Sequence, residues 1–244
     1  MIDGLLPAIA GIFLLAGTLK GVLGFGLPII SMSLLPFVFP IEQAITMSAI
    51  VQPLTNLFQL YSAGRVREAF SITWPVIITL MLGVLLAYWL LGGMESDKLL
   101  LLVGVTILMF SIMELSGFGL TIPNNLRVPY GLGFGFIAGV FGALTALNGW
   151  AFILYLMGCQ LDRQMFRSSI ALLFIVSGLL ISSSFWALGW LNAEVLGLGV
   201  IALTMSFVGM AIGNRIGERL SGAIFRKCVL IVLAVLGCGL IAQS

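Results

Sequence analysis

The sequence predicts an all-α polytopic membrane protein, and three observations support that fold class. Hydrophobic residues make up 61% of the 244 residues and charged residues only 8%, which leaves too little charge to cover a water-facing surface. The mean hydropathy is +1.21. The charges are separated by apolar stretches of roughly the 20 residues that a helix needs to cross a bilayer. Because backbone groups cannot stay unpaired in lipid, each such stretch is expected to be helical.

Composition also argues against several classes of function. The chain has no histidine, which excludes zinc sites built on histidine and the Ser-His and Cys-His pairs of many hydrolases. The cysteines at positions 159, 228 and 238 lie in separate apolar runs and suggest neither a disulfide framework nor a metal cluster. The net charge of +2 is too small for a nucleic-acid interface. We therefore expect no enzyme activity, cofactor, metal or nucleic-acid partner.

Six apolar stretches have the length of one simple span, and we predict transmembrane helices at about 43–63, 71–92, 98–116, 167–188, 194–213 and 226–242. Asp97 and Glu194 open the third and the fifth of these. An acidic residue in the first turn interacts favourably with the positive end of the helix dipole.

Residues 5–40 and 129–160 are too long for one span, and each is interrupted near its middle by glycine and polar residues. The first interruption is Lys20-Gly21-Val22-Leu23-Gly24-Phe25-Gly26-Leu27-Pro28. The second is Gly142-Ala143-Leu144-Thr145-Ala146-Leu147-Asn148-Gly149. We predict that both stretches are helix–break–helix hairpins, either re-entrant or fully crossing, which return the chain to the side from which it came.

The placement of basic residues supports these hairpins. If both hairpins return, the loops at 64–70, 117–128, 161–167 and 214–227 share one face and hold nine of the eleven lysines and arginines. If each long stretch crossed once, the basic residues would be divided between the two faces. The positive-inside rule makes the basic face cytoplasmic. We therefore predict a multi-pass protein of the cell (inner) membrane with both termini extracytoplasmic.

The two halves of the chain resemble each other. Three glycines of the first half recur 118 residues later: Gly17, Gly21 and Gly24 as Gly135, Gly139 and Gly142. We predict a first repeat over 1–116, a cytoplasmic connector over 117–128 and a second repeat over 129–244. Each repeat is a broken-helix hairpin followed by three transmembrane helices. Because three crossings separate the hairpins, the repeats are inverted, a plan that recurs in secondary transporters.

The breaks predict an anion site. A helix that restarts inside the membrane exposes unpaired N–H groups and the positive end of its dipole. Glycine lets a ligand approach the backbone closely, proline suits the first helical turn, and asparagine can cap it. A lysine at membrane depth is a functional candidate. The candidates are Lys20, Gly24, Phe25, Gly26 and Pro28 at the first break, Gln52 and Asn56 on the polar span at 43–63, and Gly142, Thr145 and Asn148 at the second break.

Other interpretations stay open at this point. Lys20 could reach a membrane interface, and the glycines could serve only close helix packing. Gln52 and Asn56 could bond only to neighbouring helices. Glu42 and Asp162 are more typical of helix starts than of proton carriers, and the basic residues between 215 and 227 are typical of a topology determinant facing anionic lipid.

The layout resembles the TauE/SafE family of small membrane transporters for sulfite and other anions. The resemblance rests on the segment from Lys20 to Pro28 and on a second glycine-rich segment, Gly131-Leu132-Gly133-Phe134-Gly135-Phe136-Ile137-Ala138-Gly139-Val140-Phe141-Gly142. It implies small sulfur-containing or carboxylate anions as substrates, such as sulfite, thiosulfate, sulfoacetate or other organosulfonates. The segment from Ala143 to Asn148 departs from the family pattern, because more glycine is usual there.

The sequence thus predicts a secondary transporter of a small anion, which works by alternating access with a possible coupling proton or cation and a possible homo-oligomeric state. An anion channel is one alternative. A membrane subunit that only anchors a partner is another.

Overall fold

The computed structural model describes residues 2–217 and 222–244 of the chain, with side chains described outside residues 2–4, 23, 217 and 222–226. These ranges contain α-helices and no strand, which confirms the predicted all-α polytopic class. The helices are α1 Ile2–Leu23, α2 Leu27–Leu34, α3 Ile41–Ala63, α4 Val66–Leu91, α5 Ser96–Leu115, α6 Arg127–Thr145, α7 Gly149–Gly158, α8 Arg163–Ala187, α9 Ala193–Gly217 and α10 Gly222–Gln243. Single turns of 3-10 helix lie at Leu35–Phe37 and Asn124–Leu126.

Six of the described helices are long and apolar enough to cross a membrane, namely α1, α4, α5, α6, α8 and α9. Although α3 has 23 residues, it is not one of these six. The reason is its polar character, since it buries hydroxyl and amide side chains inside the bundle. The predicted spans at 43–63 and 226–242 fall on α3 and α10.

Each of the two long stretches folds as a long helix, a break and a short helix. In the first, α1 has 22 residues and α2 has 8; in the second, α6 has 19 residues and α7 has 10. A helix of 8 to 10 residues is about 12–15 Å long, or roughly half of the ~30 Å hydrocarbon core. The arms of each hairpin are therefore unequal, and only the first arm is long enough to cross.

The breaks differ in their backbone. At the first break Gly24 and Gly26 have φ values of 83° and 103°. Glycine adopts this left-handed backbone conformation without the steric cost that a Cβ would add. The second break is at residues 146–148, where Ala146 has a φ of 58°. Gly142 and Thr145, which the sequence suggested for this break, belong to the last turns of α6. The second break is thus later in the chain than its glycine indicated.

Close backbone contact joins α1 to α9. Gly17 faces the backbone of Ser206 and Gly21 faces that of Met210, so that a Cβ on either glycine would overlap backbone atoms. Small residues permit such approach between membrane helices. Residue numbers increase together along the two helices, so α1 and α9 are parallel.

The matching glycines of the second half make the equivalent contact between α6 and α4. Gly135 faces the backbone of Val76, and Gly139 faces that of Leu80. These two helices are likewise parallel. Two of the three glycine pairs that recur at a separation of 118 residues therefore serve helix packing in both halves.

Between these two pairs, α3 packs against α8 in antiparallel orientation and against α9 in parallel orientation. Gln59 Nε2 donates to the carbonyl of Arg167 at 3.4 Å, and Gln164 Nε2 donates to that of Ala63 at 2.9 Å. On the α9 side, the rings of Phe58 and Phe207 meet edge-on with centroids 6.5 Å apart. Together α3, α8 and α9 position the side chains of the candidate site.

Polar contacts define the two ends of the bundle. At one end Arg65, just before α4, donates to Asp162 at the start of α8, with Nη1 and Oδ2 2.9 Å apart. At the other end the hydroxyl of Ser96, which opens α5, donates to the carboxylate of Glu42 in the first turn of α3. Because α1, α9 and α3 are parallel, α1 begins at the Glu42 end. The first hairpin therefore begins and finishes at one end of the molecule.

The second hairpin begins and finishes at the opposite end. Arg127, which opens α6, donates through Nη2 to the carbonyl of Cys159, just after α7, at 2.9 Å. The connector is tied to the same place, because the Ile122 amide donates to the Gly158 carbonyl at 2.8 Å.

Candidate functional site

A cavity of about 870 Å³ opens between α1, α3, α8 and α9, at the bundle end where Arg65 meets Asp162. Aromatic, aliphatic and polar side chains share its wall with the backbone of the first break. The lining residues are Lys20, Gly21, Val22, Gly24, Phe25, Phe58, Gln59, Ser62, Arg163, Phe166, Arg167, Ile170, Met210 and Asn214.

Lys20 lies in the last turn of α1, directly before the first break, and only 3% of it is exposed. Its Nζ donates to the Thr55 hydroxyl of α3 at 3.1 Å. That hydroxyl in turn lies 3.0 Å from the carbonyl of Val51 and 3.2 Å from that of Gln52. An ammonium has three donors, so two remain for a ligand in the cavity that Lys20 lines. Lys20 is thus buried against the cavity and does not extend to an exposed interface.

Arg163 and Arg167 add two further cations to the same wall. They occupy the first turns of α8 and are four residues apart, so their side chains lie on one face of that helix. Among the described residues, ion pairs form at Arg65 and Lys98 but not at either of these arginines. The described lining residues include three cations and no carboxylate. Such a cleft concentrates anions by its electrostatic potential.

The nearby carboxylate of Asp162 accepts hydrogen bonds from groups outside the cavity lining. Its Oδ1 accepts from the Met165 amide at 2.8 Å, which caps α8, and its Oδ2 accepts from Arg65. The backbone hydrogen bond from Met165 and the bond from Arg65 hold the pKa of Asp162 below its usual range. Glu68 and, secondarily, Asp162 raise the pKa of Arg65. The position of Asp162 confirms its expected role as a helix-start residue.

Side chains of α8 also fix the end of α3 that carries the cavity. Ser168 Oγ donates to the Gly64 carbonyl at 2.6 Å, in addition to the Gln164–Ala63 bond. Carbonyls at the end of a helix lack intrahelical partners, and these side chains supply them. The contacts hold the cavity residues of α3 and α8 at a fixed separation.

The two breaks meet beneath this cavity. Gly26 and Pro28 of the first break share a void of about 10 Å³ with Leu147 and Gly149 of the second. Phe25 lines both this void and the large cavity. A void of this size is at most large enough for one water. The two breaks therefore lie next to each other, and Phe25 separates their shared void from the large cavity.

The family model described as "Sulfite exporter TauE/SafE" matches residues 9–240. The chain belongs to this family. No curated protein and no solved structure matches it. Membership makes the chain a membrane transporter of sulfur anions, in agreement with the helices that can cross a bilayer and with the cation-lined cavity.

Of the candidates in this TauE/SafE chain, Lys20, Gly24 and Phe25 line the large cavity, whereas Gly26 and Pro28 line the small void. The other five surround the second break, and none of them lines the large cavity: Gln52, Asn56, Gly142, Thr145 and Asn148.

The polar side chains at the second break are buried and only partly satisfied. Gln52 Nε2 donates to the Ala146 carbonyl at 3.1 Å, while Gln52 Oε1 has no partner among the described residues. Asn56 Nδ2 donates to the Gln52 carbonyl at 2.8 Å. The Thr145 hydroxyl donates to the Phe141 carbonyl at 2.6 Å and accepts from the amide of the residue before Asn148. The bond from Gln52 to Ala146 links α3 directly to the second break.

Asn148 stands at the N-cap position of α7 but does not cap it, contrary to expectation. Its side chain is fully buried, and neither amide atom has a partner among the described residues. It packs against Gly142, where a Cβ would lie 3.0 Å from Asn148 Nδ2 and 3.1 Å from the Ile181 side chain. The side chain therefore turns back onto α6, and Gly142 supplies the space for it.

Sequence reasoning missed the contribution of α8 and α9 to the site. From the sequence, Arg163 and Arg167 are expected only to determine membrane topology, and Asn214 has no expected role. A usable signal was available, because two arginines spaced by four residues at the start of a span share one helical face. The orientation of that face toward Lys20 depends on packing between helices that are distant in sequence.

Proposed function

We propose that this protein is a secondary transporter that moves a small sulfur anion, sulfite or an organosulfonate, across the cytoplasmic membrane by alternating access. One observation carries the proposal. Lys20, Arg163 and Arg167 line a single cavity whose described lining residues include no carboxylate. An anion is the ligand that compensates such a group of cations.

The cavity suggests how cargo would bind. Arg163 and Arg167 attract the anion, and Lys20 donates to its oxygens beside the glycines of the first break. The rings of Phe25 and Phe166 contact the organic part of a sulfonate. An unbranched alkyl sulfonate uses both the polar and the apolar part of this wall.

Alternating access is supported by the matched packing of the two halves. The contact of α1 with α9 has its counterpart in that of α6 with α4, through glycines 118 residues apart. This correspondence is what inverted repeats over 1–116 and 129–244 require. The cavity opens at the basic end of the bundle, which we assign to the cytoplasm by the positive-inside rule. The conformation described here is then the inward-open one.

The second break would complete the site in the opposite conformation. Gln52 and Asn148 hold buried amide atoms that have no partner among the described residues, next to the void where the breaks meet. Buried polar atoms of this kind are costly unless something satisfies them. When the repeats rock and the closed contact opens, these amides and Thr145 become donors and acceptors for the cargo.

Flux into proteoliposomes tests the proposal. We expect the purified protein to accumulate labelled sulfite or sulfoacetate against a gradient, and unlabelled anion to accelerate exchange. Lys20→Met removes the innermost cation and lowers uptake by at least about tenfold, which corresponds to the ~1.5–3 kcal/mol of a hydrogen bond to a charged group. Lys98→Met is the matched control, because Lys98 pairs with Glu95 on the surface at 2.9 Å and lies outside the cavity.

Three results would contradict the proposal. Current without exchange or accumulation indicates a channel. Unchanged flux in Lys20→Met indicates that the cavity is not the pathway. Absence of flux with every small anion tested indicates a membrane subunit without a transport role.

A further inference from the structure

We infer that Lys20 is the site where a proton binds together with the cargo, so that the protein couples anion movement to proton movement. This inference rests on the proposed function and names its coupling ion. The geometry that carries it is a buried amine at the inner end of an anion cavity, next to the break where the helices move.

Among the described residues that line the cavity, Lys20 alone has a side chain that occurs in proteins in both a charged and a neutral form. The guanidinium group of arginine keeps its charge in proteins, so the two lining arginines are not proton carriers. None of the other described lining residues is aspartate, glutamate, cysteine or tyrosine, and the chain contains no histidine. A proton that is taken up or released at this cavity therefore has one candidate carrier.

The elements around Lys20 supply no counter-charge in the described structure. From α3 it meets the neutral Thr55 and Gln59, and from α8 the cations Arg163 and Arg167. The α9 side contributes Met210 and Asn214, while Arg215 that follows them is exposed. At the adjoining loops Asp162 and Glu68 both bond Arg65. Because none of the described residues places a carboxylate beside it, the ammonium depends on an arriving anion for its partner.

The Thr55 hydroxyl suits both forms of Lys20. A hydroxyl is a donor and an acceptor, so it accepts from the ammonium and donates to the lone pair of the neutral amine. When this hydroxyl accepts a hydrogen bond from the ammonium, it donates its own hydrogen bond to the Val51 carbonyl, 3.0 Å away. Lys20 therefore keeps its hydrogen bond whether or not it carries the extra proton.

The coupling follows from reciprocal linkage. The anion binds more tightly to the protonated cavity, so the proton also binds more tightly to the loaded cavity, by the same factor. The neutral amine takes one proton from water on the open side and becomes the ammonium as the anion binds. After the cavity opens to the other side, the anion and that proton leave together, and the neutral amine returns.

Calorimetry on the purified full-length protein measures this proton directly. Sulfoacetate is the probe, because its sulfonate and carboxylate stay ionised between about pH 6 and 9, whereas sulfite itself titrates there. Titrations in two buffers of different ionisation enthalpy give the number of protons taken up per anion. We expect uptake of up to one proton, with an affinity that falls by up to about tenfold per pH unit as pH rises.

Lys20→Arg carries a fixed charge, and we expect it to bind sulfoacetate with no proton uptake and with an affinity that does not vary with pH. Lys20→Gln should also show no proton uptake, and it should bind sulfoacetate more weakly. This variant replaces Lys20→Arg if the protein does not fold with the larger arginine at this buried position. Lys98→Arg, on the exposed surface, should keep the wild-type proton uptake.

The outcomes distinguish failure of the proton-coupling inference from failure of the proposed function. Sulfoacetate binding to the wild type without proton uptake at any pH in this range contradicts the inference alone. Proton uptake that persists in Lys20→Arg or Lys20→Gln also contradicts it. If the wild type binds neither sulfoacetate nor methanesulfonate, the proposed function is wrong and the inference fails with it.

Discussion

At the scale of single residues, the site depends on cations that have no acidic partner among the described residues. Two basic residues outside the cavity form ion pairs, Arg65 with Asp162 and Glu68 and Lys98 with Glu95. Arg163 and Arg167 form no ion pair with a described residue, and they line the same cavity as Lys20. Unpaired basic groups in a concave site increase the local concentration of anions and their association rate. Arg163 and Arg167 are therefore the arginines that we propose to attract the cargo, whereas Arg65 joins two loops through its ion pairs.

The two arginines give a prediction at this scale. Replacing Arg163 or Arg167 by glutamine should raise the KM for anion uptake by about threefold or more, because each contributes to the attraction of the anion at long range. The maximal rate should change less, since Lys20 remains. Uptake kinetics at low and high ionic strength measure the effect, which should shrink as salt increases.

Arg67→Gln is the control for this experiment, because Arg67 is exposed near the same end of the bundle but does not line the cavity. An equal rise in KM for Arg67→Gln would show that the overall surface charge matters and that the cavity arginines have no special role.

At the scale of helices, glycine determines which pairs come into backbone contact. In the first half Gly17 and Gly21 bring α1 against α9, and in the second half Gly135 and Gly139 bring α6 against α4. Other glycines on the same helices face open space, as Gly11 does on α1. The contacts of these four glycines agree with their four-residue spacing, which lets membrane helices approach closely. Among the recurrent set Gly21 and Gly24 line the cavity.

Substitution of the packed glycines tests this equivalence. Gly17→Val and Gly135→Val should each lower the free energy of unfolding by about 1–3 kcal/mol or more, because the new side chain would overlap the backbone of the partner helix. Thermal unfolding in detergent measures the loss. Gly11→Val and Gly133→Val on the same two helices should unfold close to the wild-type temperature, because nothing lies within 4 Å of either position. Equal losses for packed and open glycines would refute the argument.

At the scale of the whole molecule, the ends of the hairpins decide the topology. The first hairpin begins and finishes at the end where Ser96 meets Glu42, and the second at the end where Arg65 meets Asp162. The basic loops at 64–70 and 161–167 and Arg127 of the connector lie at the second of these ends. The start of α1 and the end of α10 then lie at the first end, which we propose to be extracytoplasmic by the positive-inside rule.

Cysteine labelling in intact cells tests this assignment. After replacement of Cys228 and Cys238 by serine, a cysteine at Gly93 or Ser244 should react with a membrane-impermeant maleimide added outside. A cysteine at Gly119, in the connector, should react only after the membrane is permeabilised. Gly93 and Gly119 both have open space around them, so they are matched in access. The reverse pattern of labelling would overturn both the orientation and the inward-open assignment.

The amino-acid sequence by itself determined the membrane-spanning class, the helix lengths and the existence of two breaks. These properties are local, because they follow from the length of apolar runs and from glycine or proline at the position where a helix stops. For this reason the sequence correctly predicts that Gly24, Gly26 and Pro28 lie at the first break. The second break lies within the predicted segment from Gly142 to Gly149, but Gly142 makes room for Asn148 inside α6 and does not interrupt the helix.

Only the tertiary structure decided which polar residues share a cavity. Lys20 and Arg163 are far apart in the sequence, and they come together because α3 bonds to α8 at its end while α1 packs on α9. The side of a helix that faces a cavity depends on how that helix is rotated against its neighbours. Packing sets this rotation, and an apolar sequence inside a membrane specifies it weakly because lipid and protein offer similar surroundings to most of its side chains.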